Sequence, residues 1–298
     1  MSSEVSQIYD SIGVKKSKDY SGQLEGGQYW CVLNGDAATR LKDVPDESIN
    51  CVVTSPPYYW LRDYDVEGQI GLEETVDEYV SSLVKVMTEI YRVLRKDGTL
   101  FLNIGDTYYS GRGQSQGKDK KSKKRRFGLR AVDKSGGLGI GLQKKSAIGI
   151  PWRVAIAMCE HEWILRSPIV WHRDKCLPEF VRDRPRRSYE FVFMFAKDRY
   201  YFFDKTPLVD QNFDEDVWTI PPEKGDKGLD TAPYPEELVR RCLSIGCPEK
   251  GIVLDPFLGS GTTALAALKS GRSAIGVELN KEFCAHVNKK IRATHEVL

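Results

Sequence analysis

The segment GIVLDPFLGSGTTA (residues 251–264) joins a short apolar run to an Ala-rich stretch. Its centre reads G-x-G-x-x-A, from Gly259 to Ala264, and Glu278 lies 17 residues after Gly261, at the end of the next apolar run. Small residues in a strand-to-helix turn let the backbone approach a ligand closely, and an acidic residue at the following strand end can accept hydrogen bonds from ribose hydroxyls. The segment therefore predicts an adenosine-binding turn in an α/β fold, and residues 255–262 are called the glycine turn below.

The position of the glycine turn restricts the fold further. Only 34 residues follow Ala264, which is room for one helix, one strand and one more helix. A dinucleotide-binding fold in its standard order needs further βα units after this turn, so the sheet must be completed by strands that come earlier in the sequence. A P-loop is excluded because no Lys follows Gly261. We therefore expect a permuted order in which the cofactor half of the fold comes last.

A second turn carries a different chemical signal. The run INCVVT (residues 49–54) is followed at once by Ser55-Pro56-Pro57-Tyr58, called the proline turn below. The two prolines remove two backbone donors and restrict φ, so the carbonyl groups of Ser55 and Pro56 keep fixed directions without competing N–H groups. Acceptors that bind both hydrogens of an amino group on an aromatic ring draw its nitrogen toward a tetrahedral geometry, while an aromatic side chain stacks on the ring. The proline turn thus indicates a site for an exocyclic amino group.

Apolar runs typical of strands alternate with helical patterns along the chain. The clearest helix has apolar residues at helical spacing from Val76 to Leu94 and is predicted to end before Gly98. This alternation favours a doubly wound α/β fold with a mostly parallel sheet that is covered on both faces. Residues 1–27 are polar and predict a flexible N-terminal arm, whereas residues 107–149 show no apolar period and predict a long inserted loop.

Positive charge is concentrated in one part of the chain. The formal net charge is +2, yet residues 111–187 contain 20 Lys or Arg and 7 Asp or Glu, a local charge of +13 against −11 elsewhere. Segregation of this size predicts contact with a polyanion such as a nucleic acid. The basic residues expected to make this contact form two clusters, one in the loop and one after it: Lys120, Lys121, Lys123, Lys124, Arg125 and Arg126, then Arg173, Lys175, Arg182, Arg184, Arg186 and Arg187.

Composition argues against several other classes of protein. No apolar run approaches the roughly 18 residues of a transmembrane helix, and the N-terminal residues lack the apolar run of a signal peptide. The seven cysteines form no C-x-x-C pair, which argues against a zinc site and against a disulfide framework. Their number and scatter suit a reducing cytoplasm. We therefore expect a cytoplasmic protein with no membrane contact and no bound metal.

Together, the two turns resemble those of the amino-methyltransferases of DNA, in the β-class order in which the catalytic motif precedes the cofactor motif. The resemblance extends from about residue 29 to residue 291. It implies a seven-stranded methyltransferase sheet, S-adenosylmethionine as the methyl donor, and a target base that is flipped out of double-stranded DNA. It also implies a homodimer and a companion restriction endonuclease in a restriction–modification system. Donor and acceptor must share one pocket, so both turns should lie at the same end of the sheet.

The resemblance also assigns roles to residues. In this family Ser-Pro-Pro-Tyr is commonly associated with N4 of cytosine and Asp-Pro-Pro-Tyr with N6 of adenine, so Ser55 favours cytosine. A catalytic domain is expected over residues 28–298, with the basic insertion at 107–149. The expected catalytic residues are Ser55, Pro56, Pro57 and Tyr58. The expected cofactor-binding residues are Asp36, Thr54, Asp255, Pro256, Phe257, Gly259, Ser260, Gly261, Thr262 and Glu278.

Three alternatives remain open at this point. An N6-adenine methyltransferase uses the same architecture, and only analysis of the product separates it from the cytosine enzyme. An NAD-dependent oxidoreductase would explain the glycine turn and Glu278 but leaves the proline turn unexplained. A non-catalytic DNA-binding protein would explain the basic clusters but neither turn. Methyl transfer in an assay would exclude this alternative.

Overall fold

A computed structural model describes residues 2–12, 19–64, 66–109, 141–175, 181–223, 225 and 233–296. Over these residues the chain divides into two compact units. The first unit lies within Met1–Ser55, Glu89–Asn103 and Trp163–Leu298, and the second lies within Pro56–Thr88 and Ile104–Glu162. The division falls inside the proline turn, so Ser55 belongs to the first unit and the three residues after it belong to the second.

The first unit is built on one sheet, which has nine strands in the described part of the chain. Its spatial order is β1-β2-β9-β8-β3-β4-β6-β5-β7. From β2 to β4 the neighbouring strands are parallel, and the β1–β2 and β5–β6 pairs are antiparallel. The permuted order is confirmed, because the last two strands of the chain lie between β2 and β3. The strands are β1 (Tyr20–Gln23), β2 (Tyr29–Asn34), β3 (Ile49–Thr54), β4 (Leu94–Ile104), β5 (Ile164–His172), β6 (Tyr189–Ala196), β7 (Val217–Thr219), β8 (Ile252–Asp255) and β9 (Ser273–Glu278).

In the first unit, helices supply apolar surface that covers the parallel strands. The α-helices are α1 (Ser2–Ile12), α2 (Ala37–Arg40), α3 (Val76–Val93), α4 (Ile150–Glu160), α5 (Thr206–Asp210), α6 (Glu236–Gly246), α7 (Thr262–Lys269) and α8 (Lys281–Glu296). In the first unit α6 packs on β3, α7 packs on β8 and β9, and α8 packs on β2 and β9. Burial of apolar side chains at these contacts, such as Val239, Ala267 and Val287, holds the layers together. Within the part of the chain that the structure describes, none of the helices combines the length and apolar character needed to span a bilayer.

In the second unit, side chains satisfy the backbone groups at the starts of two helices. The N–H of Glu78 donates to Thr75 Oγ1 at 3.2 Å and the N–H of Thr75 donates to Glu78 Oε2 at 2.9 Å, a reciprocal cap at the start of α3. At the start of α4 the carboxylate of Asp106 accepts the N–H groups of Gly149 and Ile150, both at 3.0 Å. These caps replace the intrahelical partners that the first N–H groups of a helix lack.

Three local features differ from the sequence-based expectations. The edge strands β1 and β7 bring the described sheet to nine strands rather than seven. The segment predicted as a flexible N-terminal arm contains α1 and β1, and both contact β2. Val5, Ile8, Tyr9 and Ile12 give α1 the apolar spacing of an amphipathic helix. The helix predicted to run to Leu94 ends at Val93, and Gly98 lies inside β4 rather than after a helix, because Ile49 of β3 pairs with Leu94.

Candidate cofactor and catalytic site

The glycine turn connects β8 to α7 through backbone conformations that favour glycine. Gly259 and Gly261 have φ values of 54° and 86°, in the left-handed region. A Cβ on Gly261 would lie 2.9 Å from two carbons of Val287 on α8, whereas a Cβ on Gly259 would meet nothing closer than 3.9 Å. Gly261 is therefore required for close packing, while the space at Gly259 is open to a ligand. Phe257 and Thr262 are partly exposed, and Pro256 and Ser260 are buried.

Glu278 ends β9 directly beside the glycine turn. One carboxylate oxygen accepts the N–H of Gly259 at 2.8 Å, and the other accepts the N–H of Asn280 at 2.7 Å. Burial raises the pKa of Glu278 to about 7, although these two N–H donors favour the ionised form and counteract the rise. The residue stays partly exposed, which leaves it available to a ribose hydroxyl. The structure thus brings the acid and the glycine turn together.

Asp36 lies at the same edge of the sheet, after β2. Asn34 Nδ2 and the N–H of Gly35 both donate to the carbonyl oxygen of Glu278, each at 3.0 Å, and so fix this turn to the end of β9. The Asp36 carboxylate accepts from the backbone N–H and the hydroxyl of Thr39, at 2.9 and 2.8 Å, and caps α2. Asp36, Glu278 and the glycine turn therefore surround the carboxyl ends of neighbouring parallel strands, where ligands bind in open α/β sheets.

Asp255, the first residue of the glycine turn, is committed to contacts inside the protein. It is 2% exposed, and Oδ1 accepts from Thr54 Oγ1 at 2.7 Å and from the N–H of Phe257 at 3.0 Å. Oδ2 accepts from Thr263 Oγ1 at 2.7 Å and from the Tyr234 hydroxyl at 3.2 Å. Burial raises the pKa of Asp255 above its usual range. We call Thr54, Tyr234, Asp255 and Thr263 the hydroxyl cluster. Tyr234 and Thr263 are not among the site residues expected from the sequence.

The proline turn begins at the same edge of the sheet as the glycine turn. β3 and β8 are parallel neighbours, and the last residues of the two strands, Thr54 and Asp255, are hydrogen-bonded, so Ser55 leaves the sheet there. Ser55 is partly exposed. The expectation that both turns lie at the same end of the sheet is therefore confirmed for Ser55, the first residue of the proline turn.

The rest of the proline turn is held within the second unit. The Tyr79 hydroxyl donates to the Pro57 carbonyl at 2.9 Å. A Cβ on Gly71 would lie 3.2 Å from the Tyr58 carbonyl oxygen, so a second segment of backbone passes close to the turn. Pro56 is buried and Tyr58 is partly exposed. These contacts involve the carbonyl groups of Pro57 and Tyr58. The predicted rigidity of the Ser55 and Pro56 carbonyl groups stays a prediction.

The second basic cluster lies in the first unit, and its members differ in how available their charges are. Lys175, Arg182 and Arg186 are exposed, and Arg184 and Arg187 are partly exposed. Arg173 is ion-paired with Glu190 at 2.8 Å, which compensates its charge. The loop cluster, Lys120, Lys121, Lys123, Lys124, Arg125 and Arg126, lies outside the described residues.

Comparison with known proteins identifies the family of the chain. A family model described as "DNA methylase", of the N6/N4 methyltransferase type, matches residues 49–289, a range that contains both turns. The chain belongs to the DNA methylase family. This assignment removes the oxidoreductase and the non-catalytic DNA-binding protein from the alternatives. The methylase is thus a DNA methyltransferase of a family that covers both N6 and N4 amino groups.

Relatives and solved structures support the same assignment along most of the chain. The methylase is 43% identical over 258 residues to the Type II methyltransferase M.XycI of Xanthomonas campestris pv. cyanopsidis. The matched region covers 85% of this chain and 84% of that protein. Its fold resembles that of the PvuII DNA methyltransferase (cytosine-N4-specific), with a TM-score of 0.67, 20% identity, and coverage of 93% of this chain and 95% of the other. It also resembles TTHA0409 of Thermus thermophilus in complex with S-adenosyl-L-methionine, with a TM-score of 0.60, 24% identity, and coverage of 89% and 95%. The doubly wound, mostly parallel methyltransferase fold is confirmed.

Proposed function

We propose that the protein is a site-specific DNA methyltransferase that transfers a methyl group from S-adenosylmethionine to the exocyclic N4 of cytosine in double-stranded DNA. One observation carries the proposal. Thr54, the residue before the proline turn, donates to Asp255, the first residue of the glycine turn, at 2.7 Å. A turn suited to an amino group therefore starts beside a turn suited to an adenosine. Direct methyl transfer needs this adjacency because both reacting groups must be held in line.

S-adenosylmethionine is the methyl donor, and the residues at the edge of the sheet fit it. The partly exposed Glu278 carboxylate accepts hydrogen bonds from the ribose hydroxyls, and Asp36 approaches the adenine. Gly259 offers the open space that a cofactor needs to lie against a backbone. Phe257 packs against the adenosine. Thr54 and Asp255 stabilise this site indirectly, because their side chains are buried and hydrogen-bonded to each other.

The proline turn acts on the target base. A cytosine leaves the DNA stack at a cost of roughly a few kcal/mol and stacks on Tyr58. The Ser55 hydroxyl and the Pro56 carbonyl accept its two amino hydrogens, which localises the lone pair on the nitrogen. Pro57 keeps the turn rigid, with its own carbonyl held by Tyr79. When bound, S-adenosylmethionine would supply the methyl group to this nitrogen and leave as the thioether S-adenosylhomocysteine, and the proton released from the nitrogen would pass to solvent.

Cytosine is preferred over adenine because of the residue at the first position of the turn. Ser55 stands where related adenine enzymes commonly have Asp, and the PvuII enzyme, which shares the fold, is cytosine-N4-specific by name. The name of M.XycI, a Type II methyltransferase, supports action at a defined DNA site. A companion restriction endonuclease and a homodimer follow from the same kinship and are part of the proposal.

The basic residues provide the DNA-binding face of the single catalytic domain proposed for residues 28–298. The exposed side chains of Lys175, Arg182 and Arg186 contact phosphates, and the loop cluster within residues 107–149 adds to them. Such contacts contribute affinity and position the duplex without reading its sequence.

Analysis of the reaction product tests the proposal. The protein is incubated with duplex DNA and labelled S-adenosylmethionine, and the DNA is digested to nucleosides for mass spectrometry. We expect N4-methylcytosine from the wild type and about a hundredfold less of it, or lower still, from Ser55→Ala in the same time, with the cofactor Kd within about threefold in the two proteins. N6-methyladenine would overturn the choice of base, and absence of any labelled nucleoside would overturn the proposed reaction.

A further inference from the structure

The backbone ladder between β3 and β8 stops short of the ends of the two strands. It pairs Cys51–Val52 with Val253–Leu254. The next residues of β3, Val53 and Thr54, are paired through the ladder to β4 on the other side. On the side toward β8, this end of β3 is met by side chains instead.

The hydroxyl cluster fills the place where the ladder stops. Thr263 Oγ1 and the Tyr234 hydroxyl lie 3.3 and 3.5 Å from the Val53 carbonyl oxygen, and they are hydrogen-bonded to each other. Thr54 Oγ1 donates to one oxygen of Asp255, and the other two hydroxyls lie within hydrogen-bond distance of its second oxygen. All four residues of the cluster are at most 7% exposed. The last two residues of β3 are thus held by side chains from three other parts of the chain.

Stability alone is a poor explanation for these buried polar groups. A carboxylate in the interior loses its hydration, and well-packed apolar residues in its place are often as stable or more stable. The place itself is informative, because the cluster lies between β8, which leads to the cofactor turn, and β3, which leads to the catalytic turn. Open α/β sheets bind their ligands where the strand order changes direction in this way.

We infer that the hydroxyl cluster positions Ser55 relative to the methyl donor. Asp255 Oδ1 accepts both from Thr54, next to Ser55, and from the N–H of Phe257 in the glycine turn, so one atom links the two turns. Tyr234 and Thr263 hold the second oxygen of Asp255. We class them as positioning residues because their side chains are buried and their hydroxyls are hydrogen-bonded inside the protein. The inference rests on the proposed function, because it concerns the alignment of the amino nitrogen with the methyl group.

Paired substitutions of buried threonines test the inference. Thr54→Val removes the link to Asp255 and keeps the shape, Thr54→Ser keeps the hydroxyl, and Tyr234→Phe removes the phenolic oxygen. The matched control is Thr99→Val, because Thr99 is 0% exposed and its hydroxyl donates to the Gly246 carbonyl at 2.8 Å in another part of the sheet. Steady-state methyl transfer gives kcat, calorimetry gives the cofactor Kd, and thermal unfolding gives Tm for each protein.

We expect Thr54→Val to lower kcat by about tenfold to a hundredfold with the cofactor Kd within about threefold, since small misplacements of reacting groups cost rates of this order. Tyr234→Phe should also lower kcat. Thr54→Ser keeps the hydroxyl and should have a kcat close to that of the wild type, and Thr99→Val should lower only Tm. The inference is overturned if Thr54→Val keeps its kcat, if Thr54→Ser fails to restore it, or if Thr99→Val loses as much.

Two further outcomes are also decisive. If Thr54→Val does not fold, Tyr234→Phe carries the test, because the ring is kept, and an unchanged kcat there overturns the inference. If the wild type transfers no methyl group, the proposed function itself has failed and the inference falls with it. An active wild type with unaffected variants overturns the inference alone.

Discussion

Cofactor binding should weaken as the pH falls through the pKa of Glu278. Burial raises that pKa to about 7, so the carboxyl is about nine-tenths ionised at pH 8 and about one-tenth ionised at pH 6. The ionised form accepts the N–H groups of Gly259 and Asn280 and still has lone pairs for two ribose hydroxyls. A protonated carboxyl must donate at one oxygen, which opposes one of these N–H groups. The apparent Kd therefore increases about tenfold from pH 8 to pH 6, or about 1.4 kcal/mol.

Calorimetric titration with S-adenosylhomocysteine at pH 6, 7 and 8 measures this dependence without turnover. Glu278→Gln is the control, because its amide does not titrate and its Kd should be weaker at pH 8 but constant across the range. Any slope that this variant retains belongs to the ligand or to other groups and is subtracted. A wild-type Kd that is the same at pH 6 and pH 8 would refute the reasoning, and so would an equal slope in the Gln variant.

Three further predictions concern the proline turn, the basic cluster and the glycine turn. Ser55→Ala and Tyr58→Ala should each lower kcat by about a hundredfold or more, while the cofactor Kd measured by calorimetry stays within about threefold. The first variant removes a hydrogen-bond acceptor and the second removes a stacking surface, and only the base needs them. Full activity in both variants would contradict the roles assigned to Ser55 and Tyr58. Replacing Arg182 and Arg186 by Gln should reduce the slope of log DNA affinity against log salt concentration by about 0.9 for each phosphate that is no longer neutralised. Fluorescence anisotropy measures the affinity at each salt concentration. An unchanged slope would show that these two arginines do not contact phosphates. Gly261→Ala should lower the free energy of unfolding in urea by about 2 to 3 kcal/mol, because it combines a positive φ with a 2.9 Å approach to Val287. Gly259→Ala has only the positive φ and should lower it by about 1 kcal/mol. Equal losses in the two variants would show that the approach to Val287 is unimportant.

The sequence predicted those elements whose limits carry a local signal. β3 was predicted at residues 49–54 and occupies Ile49–Thr54, because an apolar run is ended by two prolines that cannot continue a ladder. The start of α7 at Thr262 follows from the two glycines before it. The meeting of Glu278 with the glycine turn was also predictable, since strand, turn, helix and strand follow one another with short connections.

Other features have no local signal and come from the tertiary structure. The edge strands β1 and β7 have only four and three residues, which is too short for an alternation to be recognised in the sequence, and each forms along the edge of a neighbouring strand. Thr54 and Asp255 are 201 positions apart, and Tyr234 and Thr263 are 29 apart, so no spacing rule relates them. The Pro-Tyr-Pro sequence around Tyr234 marks the start of α6, yet only the strand order places its hydroxyl against Asp255.

The interleaving of early and late strands also decides when the protein becomes able to act during its synthesis. β2 carries the Asp36 turn and is hydrogen-bonded to the end of β9 across 244 positions of sequence. On the ribosome, β2 and β3 emerge long before β8 and β9, the two strands that must fit between them. A nascent chain therefore has a gap in the middle of its sheet and two uncovered strand edges, the state in which chaperones protect polypeptides from aggregation. Methylating activity arises only when translation has delivered the C-terminal strands, so fragments from interrupted synthesis carry no assembled donor site.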